Sequence, residues 1–526
     1  MSGESGRRWA DVRAALAGVG VLLGVWVLSS EVLLSQKEAV PSPWELAAQM
    51  VSDLSYYGPH VRQTMSEAGW GYLWGNLFAF AVGVLFVVIP FLERLAFRLV
   101  VAVYSLPLIA TAPILQVIFA GDRAKIAVAA QAVLFTTVIG VTIGLRAAHQ
   151  THLDLVHAAG GGRFQALVRV RLRSAIPGIT SGLKIAAPAA LLGAVIGEFL
   201  GGTRGLGVAM IASQQSFDVA RTWGLAAVLT ILSASVYALT GWLGRRLAPW
   251  EATSTDLGEI LTPSTGGRLW RRAISSAGYL VGSIVATVLL WKLLLGGFHI
   301  DPFFAKGPGE VWAYLTDPAN GTVRSEMWSD LVITLRNAGL GYAVGTVGAL
   351  LLAIAVTSSR AVEQAVMPIA IAVRAVPLVA MTPLVALVVG RGVACVLIIA
   401  GMVTFFPSLV QIVDGIRGAP RPALETVQAF GGTHWSQLTR VRLPYALPSV
   451  FASARIAGPL AIIGATLAEW LVTGRGIGNR MVVSLSRSNY LDLWATVLVI
   501  TVCAIATYGM ASVAEGFVLR RYHEVA

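Results

Sequence analysis

Two glutamates, Glu198 and Glu469, are the residues whose type and spacing most suggest a chemical role. They lie 271 positions apart, each toward the end of a long apolar run. An ionised carboxylate within a membrane is costly unless it meets water or a partner. Two roles are open: a pathway or gate residue beside a transported solute, or a hydrogen-bonded anchor for the glycine-rich segment that follows, paired with Arg204 or Arg475.

Two prolines, Pro188 and Pro459, lie in the middle of the same apolar runs. A proline inside a helix removes one hydrogen bond and kinks the helix, and the freed carbonyl suits a helix that lines a cavity. Both prolines are therefore pathway candidates together with the two glutamates. Lys184 and Arg455 lie near the other end of these runs, where we expect long basic side chains to extend to the membrane surface rather than attract anions.

The sequence does not predict an enzyme. It has no Gly-x-x-x-x-Gly-Lys-Ser/Thr loop, so it offers no recognisable nucleotide site of its own. His149, His152 and His157 do not share one helical face, and a solvated loop explains them better than a metal site does. We predict that the chain catalyses no bond chemistry and binds neither a cofactor nor a metal.

The candidate residues belong to a pattern that occurs twice. The second copy follows the first at a constant offset of 271 positions, which indicates two copies of one structural unit. We predict a first half at 1–243, a linker at 244–272 and a second half at 273–526. The paired positions are Asp154 and Glu425, Gly160 and Gly431, Pro188 and Pro459, Glu198 and Glu469, and Arg204-Gly-Leu-Gly207 and Arg475-Gly-Ile-Gly478.

The composition is that of a membrane protein. Of the 526 residues, 56% are hydrophobic and only 13% are charged, whereas a soluble domain carries about 25% charged residues. Apolar runs of about 20 residues recur, which is the length that a helix needs to cross the hydrocarbon core. We predict an all-α membrane protein with about twelve transmembrane helices, six in each half. The predicted spans are 12–30, 66–90, 97–119, 124–145, 175–200, 222–243, 273–295, 332–357, 364–389, 392–413, 446–471 and 492–516.

The placement of arginines predicts the orientation. Arginines crowd the N-terminus, the loop after the fourth span, the segment between the halves and the C-terminus, and six spans per half place all four regions on one side. The positive-inside rule makes that side cytoplasmic. We expect a multi-pass protein of the bacterial cytoplasmic (inner) membrane with both termini in the cytoplasm. The net charge of +12 reflects this topology, and no nucleic-acid partner is expected because no basic folded module is visible.

The loop after the fourth span carries the most specific motif. In each half an acidic residue is followed by five residues, a glycine, nine residues and Val-x-Leu. This resembles the EAA loop of ABC-importer permeases, whose pattern is Glu-Ala-Ala, three residues, Gly, nine residues and Ile-x-Leu-Pro. Glu425, Gly431 and Pro444 match it in the second half. In the first half Arg173 replaces the proline, and neither copy keeps the two alanines.

The resemblance extends over nearly the whole chain, apart from the first span of each half and the linker, and is to the nitrate/sulfonate/taurine-type permeases. Those are normally single six-span chains that dimerise, so this chain resembles two permeases fused into one. The resemblance implies that the loops dock as coupling helices on two cytoplasmic ABC ATPase subunits, which bind ATP and magnesium. The coupling residues that it implies are Asp154, Ala158, Ala159, Gly160, Glu425, Ala429, Phe430 and Gly431.

The same resemblance bears on the solute. It implies that an extracytoplasmic solute-binding protein delivers a small organic or inorganic anion, such as a sulfonate or nitrate. Because the family keeps the acid of the fifth span with different substrates, it favours the anchor role over the pathway role for Glu198 and Glu469. Membrane lipid is the only further partner expected.

Two other classes of protein are alternatives. An ion-coupled secondary transporter also has duplicated halves, but such proteins commonly carry acids and ion sites in mid-helix, whereas the main acids here lie near a helix end. A membrane scaffold that transports nothing would not explain two docking loops. The paired EAA-like loops therefore favour an ABC permease.

Overall fold

The computed structural model describes residues 39–89, 108–119, 121–247, 301–359 and 378–523, with scattered positions within 20–33, 91, 282–297 and 362–366. All secondary structure in these residues is helical. Inside lipid a helix satisfies every backbone group within one segment, which is why apolar runs of this length fold as helices. The predicted all-α membrane fold is confirmed.

Besides short π- and 3-10-helical turns, the described residues include nine α-helices before residue 248 and nine more after residue 300, in the same order. The first set is α1 (Pro43–Ser52), α2 (Leu54–Val88), α3 (Leu108–Ile118), α4 (Asp122–Arg146), α5 (Gln150–Ala158), α6 (Arg163–Ala166), α7 (Leu172–Leu200), α8 (Leu206–Gln215) and α9 (Val219–Leu247). The second set is α10 (Pro308–Thr316), α11 (Gly321–Ser358), α12 (Leu378–Val389), α13 (Val393–Arg417), α14 (Arg421–Ala429), α15 (His434–Gln437), α16 (Leu443–Ala468), α17 (Ile477–Ser486) and α18 (Tyr490–His523). Each helix of the first set thus has a counterpart nine helices later.

Eight helical segments in the described part of the chain are long and apolar enough to cross a membrane. They correspond to eight of the twelve predicted spans. The other four predicted spans, 12–30, 97–119, 273–295 and 364–389, lie partly outside the described residues, and α3 and α12 form the described ends of two of them. The eight segments are Leu54–Val88, Asp122–Arg146, Phe164–Leu200, Val219–Leu247, Pro318–Ser358, Val393–Arg417, His434–Thr473 and Tyr490–Phe517.

Some predicted helix boundaries were wrong. Helix α2 begins at Leu54 and α11 at Gly321, each about three turns before the predicted start. Their first turns are rich in polar residues, so an apolar window misses them, and a helix of 35 residues is much longer than the about 30 Å hydrocarbon core. Helix α9 continues to Leu247, so the first residues of the predicted linker are helical, and 248–272 lie outside the described residues.

The short helices lie on two opposite sides of the molecule. We call the side with α5 and α14 the inner side, and the side with α1, α8, α10 and α17 the outer side. Helices α1 and α10 begin in the same way: the backbone N–H of Ser42 donates to Glu45 at 2.8 Å, and that of Gly307 donates to Glu310 at 2.7 Å. In both, a proline stands at the first helical position, where its missing N–H has no cost.

A repeated tryptophan contact fixes the outer segments. The indole N–H of Trp223, in α9, donates to the carbonyl of Ala39 at 3.0 Å, and that of Trp494, in α18, donates to the carbonyl of Phe304 at 3.0 Å. Trp494 also stacks on Trp291, with ring centroids 5.2 Å apart. The chain ahead of α1 and of α10 is therefore held against the last helix of its own half by the same bond.

The two halves pack on each other through their third spans. Helix α12 contacts α7, α8 and α9 of the first half, and α3 contacts α16, α17 and α18 of the second half. Buried residues of both halves, including Ala112 in α3 and Ala380 in α12, belong to one continuous apolar core. The halves thus form a single body with a pseudo-twofold relation between them.

Candidate functional site

The two EAA-like loops fold alike on the inner side. Asp154 and Ala158 lie in α5, Ala159 caps it, and Gly160 forms the turn that follows. In the second half the same places in and after α14 are taken by Glu425, Ala429, Phe430 and Gly431. The structure therefore brings the predicted coupling residues into two equivalent short helices, and all eight side chains or backbones are solvent-exposed.

Glycine is required at two successive positions of each turn. Gly160 and Gly431 have φ of +80° and +77°, which L side chains rarely adopt. The next residue, Gly161 or Gly432, donates its N–H at 2.8 Å to the carbonyl of the residue five before it. A Cβ there would lie only 2.7 Å or 2.6 Å from that carbonyl oxygen. The turn therefore sets the angle between the short helix and the helix that follows.

Large apolar side chains are exposed on these loops. Phe164 and Trp435, which are equivalent in the two halves, are 76% and 67% exposed, and Phe430 is 88% exposed. Helices α5 and α14 lie between membrane-length segments and not within them. Phe430, which caps α14, therefore lies outside those segments, whereas Phe164 and Trp435 lie at the start of two of them, Phe164–Leu200 and His434–Thr473.

The loops join the fifth spans without a break. A π-helical turn, Leu167–Arg171 in the first half and Leu438–Arg442 in the second, continues directly into α7 and α16. Pro444 stands in the first turn of α16 where α7 has Arg173, yet the helix geometry is the same in both halves. A displacement of the loop would therefore be transmitted along the fifth span.

Glu198 is buried at the outer end of α7 and binds the segment that follows it. Its carboxylate accepts hydrogen bonds from the Thr64 hydroxyl at 2.5 Å and from the Gly207 N–H at 2.6 Å. The Thr64 oxygen in turn accepts the N–H of Leu206 at 2.9 Å. A Cβ on Gly205 would collide with the Glu198 carboxyl. These contacts explain the Arg-Gly-Leu-Gly motif as a backbone wrapped around a buried acid.

Glu469 forms the same arrangement in the second half. It accepts the Thr334 hydroxyl at 2.6 Å and the Gly478 N–H at 3.3 Å, and Thr334 accepts the N–H of Ile477 at 2.9 Å. Asn337 adds an amide N–H at 3.3 Å. We call these two arrangements, Glu198 with Thr64 and Glu469 with Thr334, the outer locks.

The prediction that the two glutamates pair with the arginines of the following segment was wrong. Arg204 and Arg475 are exposed, and the hydrogen bonds to the carboxylates come from threonine hydroxyls and glycine N–H groups instead. The threonines lie on the second span, more than a hundred residues earlier in the chain, so local spacing did not reveal them. Thr64 and Thr334 do occur at matching positions of the repeat, which was the available signal.

The first outer lock carries a further charged network that sequence reasoning missed. Glu67 is buried beside Glu198 and pairs with the buried ammonium of Lys125 at 2.8 Å. Lys125 also pairs with Asp122 at 2.9 Å, and Gln63 donates to Glu67 at 2.7 Å. The second half has Asn337 and Val396 at the positions of Glu67 and Lys125. The network is therefore present in one half alone.

The outer ends of the two fifth spans meet at an aromatic pair. Phe199 follows Glu198, Trp470 follows Glu469, and their ring centroids lie 6.3 Å apart with the planes at 60°. The two rings are equivalent by the repeat, so they contact each other on the pseudo-twofold relation between the halves. Nothing in the sequence distinguished them from other apolar residues at the end of a span.

Pro188 and Pro459 do not interrupt their helices. Helix α7 runs from Leu172 to Leu200 and α16 from Leu443 to Ala468, each through its mid-span proline. Pro459 is buried and Pro188 is half-buried. Each removes one backbone donor from the helix without breaking it.

The expectation that Arg455 extends to the membrane surface was wrong. Its guanidinium is buried and pairs with Glu515 of α18 at 3.1 Å. The counterpart of Arg455 is Lys184, which lies over the ring of Tyr237 at 4.6 Å, and the counterpart of Glu515 is Gly244. A buried acid within reach makes the difference, because a paired charge can stay in apolar surroundings.

The outer side carries further ion pairs, formed by Arg221 in the first half and by Arg480 with Asp330 and Asp492 in the second. Arg221 of α9 donates to Asp53, which precedes α2, at 2.7 Å and 3.2 Å. The hydrogen bond from the Arg221 guanidinium lowers the pKa of the Asp53 carboxyl from its ordinary value of 3.8. The pair ties the start of the second span to the sixth.

The comparison with known families matches the repeat. The family described as "binding-protein-dependent transport system inner membrane component" matches twice, at residues 71–251 and 345–522. The two matches together cover more than half of the chain. The chain belongs to this family of permeases. Each match begins within the second span of a half and includes the EAA-like loop, the glutamate of the outer lock and the sixth span.

Relatives of the permease are themselves permease subunits of ABC transporters. It is 29% identical over 182 residues to a probable ABC transporter permease of Haemophilus influenzae, covering 35% of this chain and 74% of the relative. It is 32% identical over 154 residues to the formylaminopyrimidine transport permease ThiX of Halalkalibacterium halodurans, covering 29% and 62%. It is 24% identical over 258 residues to the taurine transport permease TauC of Escherichia coli, covering 46% and 93%. Each match is less than half of this chain, as expected for two permeases fused into one.

Proposed function

We propose that this permease supplies both halves of a translocation pathway in one polypeptide, driven by two separate ATPase subunits. The observation that carries the proposal is the pair of equivalent loops, α5 and α14, which expose apolar groups on the inner side and continue directly into the fifth spans. The proposed halves are 1–243 and 273–526, joined by the segment 244–272, with that segment and both termini in the cytoplasm.

The coupling residues have a physical rationale in this proposal. An exposed helix that ends in a rigid Gly-Gly turn can seat in a groove and carry force as a lever. Asp154 and Glu425 are exposed on these helices and available to basic groups of a partner. ATP and magnesium would be bound by the ATPase subunits, and this chain would hold no cofactor of its own. Closure of the two ATPases would pull both loops together.

The pathway in this proposal lies between the halves and is closed at its outer end by Phe199 and Trp470. Alternating access in transporters is a rocking of two repeats around a central site. Movement of the fifth spans would separate the two rings and admit solute from an extracytoplasmic solute-binding protein. Glu198 and Glu469 would act as anchors that shape this outer end, and Pro188 and Pro459 as the points where each span bends.

The proposed substrate is a small polar solute, with small organic or inorganic anions of the sulfonate or nitrate type as the first candidates. Two relatives are named for taurine and for formylaminopyrimidine, which differ in chemistry although the permeases are similar. Recognition would therefore depend largely on the solute-binding protein rather than on the lock residues that both halves of this chain share.

Cross-linking tests the coupling proposal. Cysteines placed at Ala159 and Phe430 should each cross-link to a co-expressed ATPase subunit, whereas a cysteine at the exposed Arg204 of the outer side should not. Failure of both inner sites in an assembled, transport-competent complex would contradict the docking proposal. For the topology, a cysteine at Ser254 should resist a membrane-impermeant thiol reagent in intact cells, and ready labelling would contradict a cytoplasmic linker.

A further inference from the structure

The two outer locks differ in how firmly they hold the fifth span. In the first half the two bonds to Glu198 measure 2.5 Å and 2.6 Å, and the Glu67–Lys125 ion pair lies directly against them. In the second half two of the three bonds to Glu469 measure 3.3 Å. The ion pairs described on this outer side, Arg480 with Asp492 at 2.8 Å and with Asp330 at 3.4 Å, join α17 to α18 and α11 and do not include Glu469.

Lys125 connects this charge network to the fifth span itself. A Cβ built on Gly197 of α7 would lie 2.9 Å from the Lys125 backbone, so the two helices are in close contact there. The position of a Cβ on Gly202 is 3.4 Å from the Lys125 ammonium. Displacing the outer end of α7 would therefore uncover the buried Lys125–Glu67 pair. Uncovering it would be unfavourable, because a buried charge pair depends on its close packing and its hydrogen bonds.

The outer end of the second fifth span has a looser structure. Helix α16 gives way to a π-helical turn, Glu469–Thr473, that contains Trp470, whereas α7 stays α-helical to Leu200. A π-helical turn is a rare and less favourable arrangement that often occurs at functional sites. The ring that Trp470 presents to Phe199 thus stands on the more deformable of the two ends.

The inner halves of the fifth spans show the opposite difference. In the second half a buried ion pair joins Arg455, at the middle of α16, to Glu515, in the inner part of α18, and both side chains are 8% exposed. In the first half the described contact of Lys184 is with the Tyr237 ring, and Gly244 stands at the place of the acid. The first fifth span thus packs at its outer end against a buried ion pair between α2 and α4, whereas the second is itself joined to α18 by an ion pair on the inner side of its lock.

We propose that Lys125 with Glu67, and Arg455 with Glu515, are positioning residues that divide the transport cycle between the halves. The outer end of α7 and the inner end of α16 stay fixed. Opening toward the outer side is carried by the outer end of α16, and opening toward the inner side by the inner end of α7. This inference rests on the ATPase-driven cycle proposed above.

Distances between spin labels test the outer side. In a chain with Cys395 and Cys503 replaced by alanine, labels at Trp70 and Arg204 report the first half, and labels at the equivalent Leu340 and Arg475 report the second; all four positions are exposed. The complex with its ATPase subunits is measured in lipid without nucleotide and after trapping with ATP and vanadate. On trapping, the Leu340–Arg475 distance in the second half should shift, and the Trp70–Arg204 distance in the first half should stay unchanged.

A variant that copies the second half into the first gives the matched control. Glu67→Asn with Lys125→Val reproduces Asn337 and Val396 and removes both charges together, so it leaves no unpaired buried charge. In this variant the Trp70–Arg204 distance should now shift on trapping. A purely structural ion pair would leave that distance unchanged in the double variant, and this result would overturn the proposal.

The inner side is tested with labels at Ser174 and Leu239 in the first half and at the equivalent Tyr445 and Met510 in the second. The Ser174–Leu239 distance should shift between the nucleotide-free and the vanadate-trapped state, and the Tyr445–Met510 distance should not. Replacing Arg455 by lysine and Glu515 by alanine should allow the Tyr445–Met510 distance to shift as well.

The outcomes separate this inference from the function on which it rests. Equal shifts in both halves would overturn the division of labour and leave the ATPase-driven permease intact. No shift in either half of a complex that hydrolyses ATP and transports solute would overturn the division of labour as well. A complex that neither assembles with an ATPase nor responds to ATP would instead contradict the proposed function.

Discussion

Phe199 and Trp470 stand at the same position of the two halves and contact each other, with ring centroids 6.3 Å apart. Each directly follows the buried glutamate of its outer lock. The contact between the halves at this end is therefore placed by the locks: the glutamates set where the fifth spans end, and the rings fill the space between them.

Joining these two positions should block transport. The double variant Phe199→Cys, Trp470→Cys should lose uptake in proteoliposomes when it is oxidised or treated with a short bis-thiol reagent, because the outer ends can no longer separate. Reduction should restore uptake, and each single cysteine variant should be insensitive to the treatment. Full uptake with the cross-link formed would show that the pathway does not pass between these rings.

The hydroxyl of Thr334 should be essential to the second lock. Thr334→Val removes the shortest of the three hydrogen bonds to Glu469 and leaves the N–H of Ile477 without its acceptor, and a buried unsatisfied group costs about 1–3 kcal/mol. We expect a lower melting temperature and reduced uptake. Thr334→Ser keeps the hydroxyl and should retain both. If valine and serine behaved alike, the hydrogen bonds would contribute little and shape alone would matter.

Adjacent glycines of the first coupling loop should respond differently to alanine. Gly161→Ala brings a Cβ within 2.7 Å of the Val156 carbonyl oxygen, whereas Gly162 has nothing within 4 Å of its Cβ position. Gly161→Ala should therefore reduce transport coupled to ATP hydrolysis, and Gly162→Ala should not. The second half already has Thr433 at the place of Gly162. Measuring hydrolysis and uptake together checks this, and an equal effect of both changes would contradict the role of the turn.

The start of the fifth span should be less tolerant of substitution in the second half than in the first. Pro444 fixes its own φ and lacks an N–H, so it stiffens the junction between loop and span. We expect Pro444→Ala to lose more transport than Arg173→Ala, with ATP hydrolysis partly retained. Equal and negligible effects in proteoliposomes would fit the identical helix geometry of the two junctions and would refute the asymmetry.

The Asp53–Arg221 pair should contribute a pH-dependent increment of stability. Because the folded pKa of Asp53 is lowered from 3.8, the increment is present above that value and is lost as pH falls through the lowered pKa. The pair is partly exposed, so its worth is at most about 1 kcal/mol. Asp53→Asn should have a lower melting temperature than the native chain at pH 7, and this difference in melting temperature should become smaller below pH 3.8. A difference that does not depend on pH would rule out the ion pair as its cause.

The sequence predicted the features that depend on residues close together in the chain. The length of apolar runs located the membrane helices, and the spacing from Glu425 to Pro444 located the coupling loop, because both patterns are contained within one or two helices. The boundaries of α2 and α11 failed because a helix that leaves the bilayer no longer needs apolar residues.

The buried ion pairs, like the contacts of the outer locks, join residues far apart in the chain and were not predicted. Lys125 and Glu67 are 58 residues apart and meet only after two spans have packed. Glu515 lies near the end of the last span. An acidic residue at the end of a span is normally expected at the membrane surface, so its pairing with Arg455 was not predicted. Comparing the two copies position by position was the usable signal, since Glu67 and Asn337 differ although the Ala-Gly that follows each of them is the same.

The difference between Glu67 and Asn337 has a consequence for how such a protein can change over generations. In a permease built from two identical chains, every substitution occurs on both sides at once, so a new buried lysine must find an acid twice. A chain that encodes both sides can accept Lys125 and Glu67 on one side and keep Val396 and Asn337 on the other. Gene fusion thereby lifts the symmetry constraint, and each copy is free to specialise.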